Sequence, residues 1–89
     1  MVYLITYDLN KAGKDYESLY SALKEYQFER DADLDSVWFV STSWTAGQIF
    51  EDLKHHIDSN DRLFITQIQK DGYFGWMREN IWPWINDRV

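Results

Sequence analysis

With 89 residues and a net charge of −6, the chain is long enough for one domain and too acidic for strong binding to naked DNA or RNA, which draws its affinity from neutralised phosphates. It has no cysteine, which excludes disulfides, thiolate metal sites and thiol nucleophiles. The aromatic share is high at 18%, with five tryptophans, six tyrosines and five phenylalanines, and such side chains serve both small cores and interfaces.

In chain order, residues 2–9 read as a strand with apolar groups on both faces, Val2 and Leu4 on one and Tyr3, Ile5 and Tyr7 on the other. The strand ends on Asp8, a residue type depleted from sheets because it competes for backbone hydrogen bonds. Residues 10–14 read as a loop, and Asp15 is expected to cap a helix over 16–26, where Tyr16, Leu19, Tyr20, Leu23 and Tyr26 recur at helical spacing. Residues 27–35 carry Glu29, Asp31, Asp33 and Asp35 and predict a short edge strand and a turn. Residues 36–42 read as a second two-faced strand. Thr45 and Gln48 fit a capping box opening a helix whose buried stripe is Ile49, Phe50, Leu53 and Ile57. After a turn at 58–61, residues 62–69 complete the set as the last strong strand.

The order β-α-β-β-α-β predicts an α+β fold over residues 1–89, the split pattern of ferredoxin-like domains, with two helices on one face of a four-stranded antiparallel sheet. A sheet face that meets water should be polar, yet at least three strands are apolar on both sides. The aromatic tail at 70–89, a second copy of the chain, or the two together must therefore cover the other face. Pro83 suits the first turn of a short helix in that tail. Trp38 is expected in the core or at a dimer seam. No membrane-spanning run and no secretory leader is visible, so the expected location is the cytoplasm.

Element order, Tyr7-Asp8 closing the first strand and Ser36-Val37-Trp38-Phe39 opening the third resemble the small CRISPR-associated adaptation proteins, with VapD-type toxin ribonucleases as a neighbouring branch. The run Tyr7-Asp8-Leu9-Asn10-Lys11, then Ser36-x-Trp38-x-Val40-x-Thr42, then Gly75-Trp76 and Trp84-Ile85 is similar to short bacterial and phage proteins labelled SinR-like. The resemblance implies a ferredoxin-like homodimer, either a metal-dependent nuclease or a non-catalytic subunit of a larger complex. In the nuclease form, the Asp matching Asp8 lies near the dimer axis, and two copies hold one Mg²⁺ that activates water or steadies phosphate charge. The chain departs from that form in lacking a basic surface and in offering only Lys11 and Lys14 after Asp8.

Asp8 is thus the candidate catalytic and metal residue, set against a simpler role as a strand-ending turn former. Asn10 is a candidate contact, or another turn residue. The acidic run does not make an EF-hand, because its sixth and twelfth positions counted from Asp31 are Ser36 and Thr42. Glu29, Asp31, Asp33 and Asp35 read either as a solvated acidic edge or as imitators of nucleic-acid phosphates. Adjacent His55 and His56 diverge around a helix and suit its C-terminal dipole. Trp76 and Trp84 are the candidate binding aromatics of the tail. Three function classes follow, in order: a non-catalytic homodimeric interaction module acting on a protein partner, a metal-dependent endonuclease or endoribonuclease, and an acidic mimic that inhibits a host defence protein. Only the nuclease reading calls for a cofactor.

Overall fold

The computed structural model describes residues 1–10 and 16–89. The expected cap at Asp15 and most of the loop before it lie outside the described residues. The order is β1 (Val2–Asp8), α1 (Glu17–Lys24), β2 (Gln27–Glu29), β3 (Val37–Ser41), α2 (Ala46–Leu53), β4 (Arg62–Ile68) and α3 (Ile81–Arg88). The four strands make one antiparallel sheet in the order β2-β3-β1-β4. β3 lies between β1 and β2, and β1 between β3 and β4, so both helical connections step over a strand. Among the described residues this is an α+β architecture with three α-helices and a short 3-10 turn at Lys54–His56.

Register follows from the two-residue alternation of side chains. Ile5 stands between Trp38 on β3 and Ile65 on β4, and Leu4 between Phe39 and Thr66. The first face takes Tyr3, Ile5, Trp38 and Val40, which pack with Leu19 and Leu23 of α1 and Ile49 and Leu53 of α2 as one buried cluster. Leu19/Leu23 and Ile49/Leu53 are each four apart, so each helix presents one stripe to the sheet. Thr45 caps α2 as expected: the Gln48 amide donates to its Oγ1 at 3.2 Å, and the Thr45 amide donates to Gln48 Oε1 at 2.8 Å. Phe50 departs from expectation at 42% exposed. It is one residue, roughly 100° of helix, away from Ile49, which turns it off the core line.

The second face is covered by the tail. A turn in which the Gly72 amide donates to the Gln69 carbonyl at 2.9 Å takes the chain off β4. Asp71 adopts a left-handed φ of 63° within it, a conformation that Asp tolerates better than most side chains. The chain then crosses the sheet to α3, where Ile81 and Ile85 pack on Phe39, flanked by Leu4, Val37 and Ile68. Pro83 sits in the first turn of α3, where its missing donor has no helical partner to lose. Coverage is partial. Phe64, on the same face of β4, is 61% exposed. Among the described residues no helix is long and apolar enough to cross a membrane.

Candidate functional site

Asp8 ends β1 on the second face of the sheet, exposed and in register with Arg62 across the β1–β4 pair. An opposite charge directly across two strands is favourable in its own right. Asn10 is held by the backbone around it: its amide donates to Asp61 Oδ1 at 2.8 Å, and its side chain donates to the Asn60 carbonyl at 3.0 Å. Asp61 is buried and also accepts from the Tyr16 hydroxyl and the Asp58 amide, each at 2.8 Å. Asn10 therefore ties the end of β1 to the turn before β4, the turn-shaping role. Among the described residues, no group of three His, Asp or Glu side chains could hold a metal ion.

The acidic run is not a uniform solvated edge. Asp31 is 3% exposed and accepts from the Arg78 amide at 2.7 Å and the Asp33 amide at 2.8 Å. Asp33 takes the Arg78 guanidinium in a two-pronged pair at 2.8 and 3.1 Å. That hydrogen bond, and after it the guanidinium charge, holds the Asp33 carboxyl below the usual carboxylate range. Glu29 is half-buried and accepts from the Arg30 amide at 2.9 Å. The Asp35 side chain is exposed, while its backbone carbonyl accepts from the Arg30 guanidinium. Asp31 and Asp33 are thus the clasp between the β2–β3 connection and the tail. Arg30 lies over the buried Trp38 ring, 4.2 Å from its centre, and Trp38 Nε1 donates to the Tyr7 hydroxyl at 3.1 Å. Trp38 is a core residue.

The tail tryptophans divide. Trp84 is half-buried against the Ile81–Ile85 cluster, with the Arg88 guanidinium 4.5 Å from its ring centre. Trp76 is wholly exposed, as is Phe74. The alternation is strand-like: Tyr73 and Met77 turn inward onto Phe39 and α3, and Phe74 and Trp76 turn outward. Beside them a groove of about 440 Å³ runs over the uncovered part of the sheet, walled by Leu4, Thr66, Ile68, Met77 and Trp82. Phe64 and Phe74 are not among the candidates that the sequence offers, because their exposure is set by how far the tail covers the sheet. A second hollow, at the end of the sheet where β1 begins, gathers Tyr26, Trp44 and Asp52; no motif marks it. No family model matches this chain, and no solved structure matches it.

Proposed function

We propose that the chain is a ferredoxin-like, non-catalytic module that works as a homodimer and acts through protein contacts. The strand order β2-β3-β1-β4 with both helical crossovers stepping over a strand supports the ferredoxin-like reading. One observation carries the homodimer: Phe64, Phe74 and Trp76 stand exposed beside an apolar groove on the sheet face that α3 leaves open. Aromatic side chains bury about 150–250 Å² each. The three supply half or more of the ~800 Å² that each partner gives to a stable interface, and the groove walls add to it. Knob and groove belong to the same chain, so two copies related by a two-fold axis satisfy both at once. The outer edge of β4, seven residues long, pairs with no further strand among the described residues and adds a backbone row for a partner to meet.

Sedimentation at micromolar concentration tests this. Wild type is expected as a dimer, and a Phe74→Ser/Trp76→Ala variant as a folded monomer, since neither ring belongs to the core. A wild type that stays monomeric at high micromolar concentration overturns the reading. The nuclease alternative retains one observation: Asp8 shares the second face with Phe64, whose register partner Thr6 is two residues away. A dimer seated there brings two Asp8 carboxylates toward one interface. Mg²⁺-dependent cleavage of RNA or DNA that disappears in Asp8→Asn would replace the non-catalytic reading; no cleavage is expected.

A further inference from the structure

The hollow at the far end of the sheet from Asp8 has a chemistry that the dimer surface does not use. It measures about 510 Å³ and lies between the end of α1, the start of β2, the end of β3 with the residues after it, and Asp52 in the last turn of α2. Trp44 forms one wall and is 44% exposed, yet it is firmly placed. Its carbonyl accepts from the Tyr3 hydroxyl at 2.6 Å, its amide donates to Thr42 Oγ1 at 3.2 Å, and its ring meets Tyr26 edge-on at 6.0 Å and 85°. The Tyr26 hydroxyl in turn donates to Asp52 Oδ2 at 2.7 Å. Burial, and then that bond, hold the Tyr26 phenol well above its ordinary range, so it remains a donor at any physiological pH and keeps Asp52 oriented. Glu25 adds a second carboxylate, Ala22 a small apolar wall, and none of the lining residues among those described is a lysine or arginine.

An anchored, half-exposed indole beside a fixed carboxylate is complementary to an organic cation, which gains from the ring quadrupole and the negative charge together. The shape of the acceptor narrows the class. Asp52 Oδ2 is engaged by Tyr26, which leaves Oδ1 to face a ligand. A guanidinium fork is best satisfied by two carboxylate oxygens, whereas an ammonium is a point charge content with one. We propose that this hollow binds an alkylammonium group, its stem against Trp44 and Ala22 and its charge at Asp52 and Glu25. The group can arrive on a free amine or on a lysine side chain.

The test reads the indole N–H signals of ¹⁵N-labelled protein, one for each of five tryptophans, with the Trp44 signal assigned from Trp44→Phe. Titration with 1,5-diaminopentane is expected to shift the Trp44 signal saturably, while 1-pentanol, of equal stem length, leaves it in place. Asp52→Asn keeps an acceptor for Tyr26 and so keeps the fold, and it should weaken binding about tenfold, the loss of one charge-assisted contact. Glu79→Gln makes the same charge change outside the lining and should leave affinity as it was. Nα-acetyl-lysine methylamide binding more tightly than the diamine assigns the site to a peptide side chain, and the reverse order to a free amine. A Trp44 signal unmoved by either amine overturns the proposal. So does equal affinity in Asp52→Asn, or equal weakening by Glu79→Gln, which would reduce the effect to general acidity.

Discussion

The two faces of the sheet are built from the same strands but closed by different means. On the first, α1 and α2 lay paired leucine and isoleucine stripes over Tyr3, Ile5, Trp38 and Val40, all almost fully buried. On the second, a single two-turn helix buries Phe39 with Ile81 and Ile85 and leaves Phe64 in solvent. Much of what fastens the second cover is polar and peripheral: Arg78 to Asp31 and Asp33, the Asn80 side chain to the Arg30 carbonyl, Arg88 to Gln27, and Tyr73 to Asn86. Stabilisation follows buried apolar area, and exposed ion pairs contribute little. The first face therefore holds the fold, and the second is where the protein has surface to give to a partner.

The strongest way to break this comparison is at Trp38, the largest fully buried side chain of the first face. Trp38→Ala removes the ring beneath Arg30 and the donor to Tyr7, and leaves a cavity at the centre of the sheet. A cost of about 3–5 kcal/mol is expected, a large part of a small domain's stability. Urea denaturation checks it. A midpoint close to wild type would mean that the first face does not carry the fold.

A matched pair sharpens the contrast. Ile49 and Ile85 are equally inaccessible, one beneath α2 and the other beneath α3, and truncating either to alanine removes the same atoms at about 2–5 kcal/mol. The consequences should differ in extent. Ile49→Ala should lower hydrogen-exchange protection throughout β1 and β3, whereas Ile85→Ala should lower it mainly in residues 81–89, because a cover with few apolar contacts opens as its own unit. Equal loss in both regions would make the tail part of one cooperative body.

What the sequence disclosed, and what it concealed, divides along the same line. The alternation of Leu4 and Ile5, the Thr45–Gln48 box and the Leu19/Leu23 stripe are local patterns, and each set an element or a face. Pro83 likewise announced a helix start in the tail. Asp31 looked like one member of a solvated run because its burial is made by the amide of Arg78, 47 residues on, and no local pattern encodes that meeting. The Tyr26–Asp52 bond spans 26 residues in the same way, so the hollow beside Trp44 had no motif to find it by. How far α3 reaches across the sheet is a tertiary fact as well. No local pattern in residues 62–69 says that the cover stops short of Phe64.

The smallest expected effect concerns the clasp and its dependence on acid. Arg78 holds the Asp33 carboxyl below its ordinary range, so the pair favours the folded chain while that carboxyl is ionised. The sign follows from linkage. A carboxyl whose folded value is depressed contributes its full share above the unfolded value, near 4, and loses it as pH falls through the folded value. Both partners are solvent-exposed, so the share is small and salt weakens it further. Asp33→Asn, which keeps an oxygen acceptor for Arg78 but no charge, should melt slightly below wild type near neutral pH in low salt. The gap between the two melting temperatures should close as the pH is lowered through the acid range. Asp31 is present in both proteins, so its own titration largely cancels from the difference. A gap that stays constant or widens toward acid would show that the Asp33 charge does not fasten the tail, and the second face would then be held by Ile81, Ile85 and the buried Asp31 contact alone.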